Sequence, residues 1–557
     1  MLTQHSTTID WPRLVRQAKR RFGVTEFRPG QRELITAVMT GRDALGIMPT
    51  GAGKSLAYQL PALFLPHATV VVSPLIALMQ DQREKSEDAR VAAVRIDSTL
   101  TTRESREAAD EIAEGEARII FVTPERLENP DYVDLLNTGG VSLLVIDEAH
   151  CISQWGHDFR PAYLSLRDAV RRLGRPPVLA LTATATPAVA ADIVRELAIK
   201  DALVVNTGAN RENLIFEVRR TPTETLKRET LLRTLHEIDG PAIVYVATVR
   251  AADDLCPWLV ERGVAAVRYH GELKPAERHE AQQGFMDNRY RAVVATKAFG
   301  LGIDKPDIRL VVHYHFPDSP ETYYQEAGRG GRDGRPAHAV LLYRLEDRRI
   351  QTYFLGGKFP RREESKRVYD AVNAAAADGR GTTLRDLVVR TGLSERRVKV
   401  IVAQLERAEI LERRARRLCQ RRTFRDAVEL EGFLNEYENR YAAERQRLES
   451  MMRYAQSTLC RMRYLRNYLG DVTDEDCGHC DNCRSRASRA RRPRRARTPA
   501  ERAVREAIKF IKGQRVQHTR FGEGEVLEGG GDRFTVDFPR VGVKRVLASY
   551  LKAATRN

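Results

Sequence analysis

The chain of 557 residues predicts an α/β protein: two tandem lobes on parallel sheets, followed by smaller helical and β modules. Three observations predict this class. Short β-rich apolar runs alternate with helical stretches from about residue 40 to 205, and a second such series ends near residue 350; this rhythm is that of a parallel sheet with helices on both faces. The length exceeds that of one hydrophobic core several times over, so separate cores are expected. After residue 356 the rhythm turns helical, and near the end it becomes short strands broken by glycines.

In the first lobe, residues 10–208, the predicted strands are DALGIM, TVVVS, RIIFVT, SLLVID and PVLALT. In the second, residues 209–355, they are PAIVYVA, AAVRYH, RAVVAT, RLVVHY and HAVLLY. Two such lobes leave a cleft where strand ends and the loops after them meet a ligand. Within residues 356–425, LRDLVVRTGLSERRVKVIVAQLER predicts a helix, a turn at Thr391-Gly392 and a second helix capped by Ser394. With the basic strand-like EILERRARR behind it, this reads as a winged-helix-like segment; a plain helical spacer is the alternative. Its Arg396, Arg397 and Lys399 are either phosphate contacts or ordinary solvated charges. Residues 426–483 form a helical module ending in cysteines. Residues 484–503, rich in Arg with Ser, Ala and Pro, cannot bury a core and predict a flexible linker open to nonspecific phosphate contact. Residues 504–557 predict a small β-barrel.

The N-terminus is polar and basic, and no uncharged apolar run approaches the ~18 residues that cross a bilayer, so a cytoplasmic protein without membrane contact is expected. Seven cysteines, an odd number without a secretion signal, predict reduced thiols rather than a disulfide framework. The balance of 92 basic against 75 acidic residues, net +17, suggests a polyanionic partner. Residues 484–520 alone hold 14 Lys or Arg against Glu501 and Glu506, an excess of +12, so charge says little about the main body.

The motifs say more. MPTGAGKS, Met48–Ser55, follows the strand DALGI. Met48 occupies the first glycine slot of the strict P-loop pattern; the rest is strand, glycine turn, Lys, Ser, helix. The loop Thr50, Gly51, Ala52 and Gly53 can curl its amides around phosphates, Lys54 supplies a point charge, and Ser55 is placed for magnesium. Asp147 and Glu148 close the apolar strand LLVI. There Asp147 can hold magnesium through water while Glu148 polarises the attacking water; two carboxylates at a strand end are otherwise expensive. In QEAGRGGRDGR, Arg329 and Arg332 share a helix face and can reach across the cleft to the γ-phosphate, a contribution of ~10³ to 10⁵ in rate; plain surface charge is the alternative.

Cys460, Cys477, Cys480 and Cys483 give C-x16-C-x2-C-x2-C. Four thiolates so spaced satisfy tetrahedral zinc with no open position, which predicts a structural site. His479, between two of them, is a poorer ligand. Cys151, Cys256 and Cys419 read as ordinary thiols.

FRPGQ (27–31), MPTGAGKS, VVVSPLIALMQDQ (70–82), DEAHCISQWGHDFRPAY (147–163), LTATAT (181–186), ATKAFGLGIDKPD (295–307) and YYQEAGRGGRDG (323–334) occur in this order. Over about residues 10–350 the chain thereby resembles the RecQ family of superfamily 2 DNA helicases, in which a similar four-cysteine zinc module follows the helicase core. The resemblance implies two RecA-like lobes, ATP- and magnesium-driven movement 3′ to 5′ along single-stranded DNA, and duplex unwinding in recombination and repair, near the nucleoid if the source is bacterial. It implies that Gln31 reads adenine with Arg28 beside it, that LTATAT couples the lobes, and that Gly302 and Asp304 face nucleotide and DNA. The family often has Asn in place of Asp304. In YVATVR (245–250) Thr248 keeps a phosphate contact, whereas Val249 replaces the family's usual Arg.

The same resemblance makes the loop after DEAH a sensor of single-stranded DNA, here built from Gln154, Trp155, His157, Phe159 and Arg160. Aromatic faces accept any base, at about 1 to 3 kcal/mol per stacked base, and Arg160 adds charge for phosphate. The layout departs from the family's best-known one, since the helix-turn-helix candidate precedes the cysteines and no HRDC-like segment follows. The terminal RVQHTRFGEGEV…FTVDFPRVGVKRVL is similar to the Tudor-like module of UvrD-type helicases, which implies a docking barrel for a protein such as RNA polymerase, or else a nucleic-acid cover. Two other readings stay open: an RNA helicase of the same superfamily, and a non-catalytic zinc-containing DNA-binding adaptor with a relic nucleotide site.

Overall fold

A computed structural model of the chain describes residues 9–153, 160–199, 201–300, 305–358, 360–377, 381–414, 417–491, 510–530 and 533–554. The chain divides into two compact units, Met1–Arg484 and Ser485–Asn557. Among the described residues no helix is long and apolar enough to cross a membrane.

The first lobe holds seven parallel strands: β1 (Ala44–Ile47), β2 (Ala68–Val72), β3 (Ala93–Ile96), β4 (Ile119–Val122), β5 (Val141–Ile146), β6 (Val178–Thr182) and β7 (Leu203–Asn206). Their order in the sheet is β3-β4-β2-β5-β6-β1-β7. Every residue of β1, β2, β4 and β6 is buried, which is why these strands stand out as unbroken apolar runs. Strands β3 and β7 escape the apolar pattern: β3 carries Arg95, paired with Asp97 at 3.1 Å, and β7 alternates exposure at the sheet edge. The order brings the ends of β5, β6 and β1 side by side. Those ends carry DEAH, LTATAT and the P-loop, so three segments far apart in sequence become neighbours.

The second lobe holds β8 (Leu214–Arg220), β9 (Ala242–Tyr245), β10 (Ala266–Tyr269), β11 (Ala292–Ala295), β12 (Leu310–His313) and β13 (Ala337–Tyr343), all parallel, in the order β10-β11-β9-β12-β13-β8. The helix Pro320–Ala327, capped by Ser319, joins β12 to β13 and ends at the arginine loop.

The cysteine module is no separate globule. Leu448, Met451, Tyr454, Cys460, Leu465 and Cys480 share one core with Phe216, Tyr323, Tyr324 and Leu341 of the second lobe. Between lobe and module, helices Arg362–Ala377, Leu384–Thr391 and Glu395–Arg407 and the antiparallel hairpin β14 (Leu411–Arg414) and β15 (Arg417–Gln420) enclose their own core around Val368, Leu387, Ile401 and Leu405. Gly392 ends the first helix of the turn in the left-handed region, and the Ser394 hydroxyl accepts from Arg397 N, as its sequence position predicts. Of the segment expected as a flexible linker, residues 484–491 belong to the helix Asp481–Arg491, since Ala and Arg favour helix, and residues 492–503 lie outside the described residues.

The second unit is a five-stranded antiparallel sheet: β16 (Arg515–His518), β17 (Gly522–Gly530), β18 (Arg533–Phe538), β19 (Gly542–Leu547) and β20 (Leu551–Ala553). Val516, Val526, Phe534, Val536, Phe538 and Leu551 form its core. The strand order is β19-β18-β17-β16-β20, an antiparallel sheet where the sequence leads one to expect a small β-barrel.

Candidate functional site

The P-loop leaves β1 with its carbonyls held from outside. Arg211 Nη1 donates to Thr50 O at 2.6 Å, Arg28 Nη1 to Gly51 O, and Gln31 Nε2 to Gly53 O at 2.9 Å and Ala52 O at 3.3 Å. Gln31 Oε1 accepts from Arg28 N at 2.8 Å, so the residue expected to read adenine here braces the loop. Lys54 is half-buried and donates to Met48 O at 3.2 Å. Burial pushes its ammonium down, Glu148 and Asp147 act against that, and Arg332 adds to it. Ser55 sits at the head of the short helix Leu56–Gln59, its side chain taking no capping bond.

Asp147 follows directly on β5, its N–H bonded to Val72 O at 2.9 Å and its carbonyl accepting from Tyr163 OH at 3.0 Å. Burial, then the neighbouring Glu148 charge, raises its carboxyl to about 7. Glu148 turns sharply, with φ 48°, a left-handed conformation costing about 1 to 3 kcal/mol that persists where the surroundings enforce it. His150, absent from the sequence-based candidates, lies beside this turn: its Nδ1 is 3.3 Å from Glu148 Oε2 and 3.0 Å from Thr182 Oγ1. One imidazole thus joins DEAH to LTATAT.

From the second lobe the structure separates the two arginines. The side chain of Arg332 lies against the P-loop, its Cγ 3.5 Å from where a β-carbon on Gly51 would be. Arg329 is buried and donates to Gly300 O instead. Gly300 has φ 138°, and a β-carbon there would meet Arg329 Nε at 2.6 Å, so the anchor needs glycine. Of the two arginines expected to reach across to the nucleotide, Arg332 lies beside the P-loop, whereas Arg329 donates within its own lobe.

Of the expected DNA-sensing loop, Gln154, Trp155, His157 and Phe159 lie outside the described residues, as do Gly302 and Asp304 in the second lobe. Arg160 is half-buried and donates to Pro74 O at 2.9 Å, tying its segment to the loop after β2. Thr248 caps the helix Val249–Val260, its hydroxyl accepting from Ala251 N at 3.1 Å. In the helix-turn-helix, Arg397 bonds Glu364 at 2.8 Å and Gly356 O at 2.8 Å, and Lys399 pairs with Glu395 at 2.6 Å. Both have partners within the chain, that of Lys399 being an exposed pair one helical turn away, and both readings of these charges stay open; the Arg396 side chain lies outside the described ones.

The sulfurs of Cys460, Cys477, Cys480 and Cys483 lie within 4.8 Å of one another. An ion bonded to four sulfurs at about 2.3 Å spaces them by about 3.8 Å, so the set fits tetrahedral zinc. Cys477 N donates to Cys460 Sγ at 3.1 Å and Arg461 N to Cys480 Sγ at 3.4 Å, bonds that suit negative sulfur. His479 contacts Leu214 O at 3.2 Å and stands outside the four-sulfur group. Cys151 and Cys256 are buried thiols.

Family models match three stretches: DEAD/DEAH box helicase over residues 28–193, helicase conserved C-terminal domain over 225–334, and RecQ zinc-binding over 416–484. The ATP-dependent DNA helicase RecQ of Bacillus subtilis is 44% identical over 337 residues, 60% of this chain and 56% of that protein. The probable ATP-dependent DNA helicase RecS of the same organism is 36% identical over 386 residues, 68% of this chain and 77% of that protein. The chain spans little more than half the length of the RecQ relatives from Bacillus subtilis and Haemophilus influenzae. Among solved structures, the DNA-bound DUF1998 helicase MrfA (TM-score 0.51, 18% identity, 77% of this chain and 64% of that one) and Saccharomyces cerevisiae Dbp5 bound to RNA and ADP BeF3 (TM-score 0.50, 19% identity, 62% and 91%) share the fold. With the nucleotide motifs gathered at one strand edge and the four-cysteine module fused to the second lobe, the chain belongs to the RecQ family of ATP-dependent DNA helicases.

Proposed function

We propose that this chain uses ATP hydrolysis to move 3′ to 5′ along single-stranded DNA and to unwind duplex during recombination and repair. The observation that carries this reading is the meeting of Lys54, Asp147, Glu148 and Arg332 at one edge shared by two lobes, in a chain of the RecQ family. The amides of Thr50, Gly51, Ala52 and Gly53 would cradle the phosphates, with Lys54 turning from Met48 O to the β- and γ-oxygens. Ser55 and Asp147 would hold Mg2+, which supplies charge neutralisation of the β- and γ-oxygens. Glu148 takes the proton of the attacking water while the γ-phosphorus to ADP-oxygen bond breaks, and Arg332 faces the charge that develops. Gln31, once its amide leaves the loop carbonyls, would read adenine beside Arg28.

The loop with Gln154, Trp155, His157, Phe159 and Arg160 would stack bases and pass their presence to Glu148, while Gly302, Asp304 and Thr248 face the nucleotide or the strand. A base-pair step is worth about 1.4 kcal/mol, so a terminal pair opens often enough for a forward step to trap it. The helix-turn-helix and hairpin would serve as a winged helix on duplex, the four cysteines would hold zinc as a structural ion, and the terminal sheet would be a Tudor-like docking module for a protein such as RNA polymerase.

Steady-state ATPase without nucleic acid, with single-stranded DNA or with matched RNA tests this reading, together with unwinding of duplexes bearing a 3′ or a 5′ tail. Stimulation by DNA, its loss in a Trp155→Ala, Phe159→Ala double variant, and unwinding from the 3′ tail are expected. Equal turnover in all three conditions, or stimulation by RNA alone, would overturn it.

A further inference from the structure

The chain passes from the first lobe to the second between β7 and β8, and Arg211 lies in that passage. Its guanidinium touches neither a carboxylate nor solvent alone. Nη1 donates to Thr50 O at 2.6 Å and to Gly328 O at 3.3 Å. Nη2 donates to Gly330 O at 3.0 Å and to Gly331 O at 3.2 Å. Nε donates to Asn213 Oδ1 at 3.4 Å, and Asn213 Nδ2 donates in turn to Gly331 O at 2.7 Å and Arg335 O at 2.9 Å. One planar fork therefore joins the P-loop to the loop bearing Arg329 and Arg332.

We infer that Arg211 is a positioning residue that fastens Arg332 to the nucleotide loop and so sets the closed geometry for hydrolysis. Only arginine offers five donors in a rigid plane; lysine, a point charge, cannot span carbonyls from two loops. The glycines of GRGGRDG let that backbone come close: Gly331 has φ 59°, and a β-carbon there would lie 2.5 Å from Asn213 Nδ2. The site also collects cations without a compensating anion among the bonds of Arg211. Burial lowers its pKa, Tyr324 acts against that, and Arg332 and Arg28 push it further down. A polyphosphate arriving at the P-loop relieves that repulsion, which ties closure to nucleotide.

This inference rests on the proposed hydrolysis, and its test has one arm that does not. In the full chain, Arg211→Ala should lower DNA-stimulated kcat by about a hundredfold, while the affinity for a fluorescent ATP analogue changes less than about threefold. Arg211→Lys should recover less than a tenth of that loss. Combined with Arg332→Ala, Arg211→Ala should add little further loss, because residues acting as a unit are not additive. Independently of turnover, amide hydrogen exchange should quicken together at residues 49–54 and 328–335 in Arg211→Ala, and also in Arg211→Lys should the alanine variant not fold. Unchanged exchange in both loops, wild-type kcat in Arg211→Ala, or losses that multiply with Arg332→Ala would each overturn the inference. Wild type that never hydrolyses ATP would count against the enzymatic reading, and exchange alone would then decide the role of Arg211.

Discussion

Arg329 and Arg332 stand three residues apart in one glycine-rich loop, yet Arg329 is bonded within its own lobe and Arg332 lies against the P-loop, so their replacement should have different effects. Arg332→Ala should cut kcat by ~10³ or more, the range of an arginine finger, with the thermal midpoint unchanged. Arg329→Ala leaves Gly300 O without its donor and should cost about 1 to 3 kcal/mol of stability, seen as a lower midpoint in calorimetry. A carboxyl at the neighbouring site adds a pH dependence. Asp147, raised to about 7, binds its proton more tightly folded than unfolded, so the nucleotide-free protein should lose stability as pH climbs from the ordinary carboxylate range to about 7 and hold level above. A divalent cation competes with that proton, so Mg2+ should raise the midpoint more at about pH 8 than at about pH 6. Thermal scans with and without Mg2+ across that range check both signs.

Among elements, the cysteine module has the widest reach. Its sulfurs belong to the core that holds Phe216 and Tyr323, and Asp471 accepts from Ala209 N at 3.0 Å in the passage between lobes. Removing the ion, or replacing Cys477 with Ser, should therefore lower the midpoint of the first unit as one transition rather than melt a local appendage. Calorimetry paired with zinc content measures this, and an unchanged midpoint after zinc loss would contradict it. Leu465→Ala, which empties a buried site in the same core, should cost about 2 to 5 kcal/mol. The sequence announces the ligands through their spacing, but not the company they keep, since sharing a core with β8 depends on contacts more than 200 residues distant, such as His479 with Leu214. Strand β8 itself is obscured by Glu217 and Arg219, which pair with each other at 3.2 Å and break the apolar run.

At the scale of the whole molecule, the division after Arg484 predicts that a chain ending at residue 491 keeps the thermal transition and basal ATPase of the full protein. Loss of either would show that the terminal sheet supports the helicase lobes. The sequence by itself determined the parallel lobes, the P-loop, the acidic pair and the four-cysteine cluster. Each is written in a short stretch whose residue types and spacing already dictate the chemistry. Only the tertiary structure decided which arginine lies beside the P-loop, that His150 sits between Glu148 and Thr182, and that Arg211 spans the lobes. These depend on strand order and on backbone carbonyls, and a carbonyl looks the same at every position of a sequence until folding aims it at a particular donor.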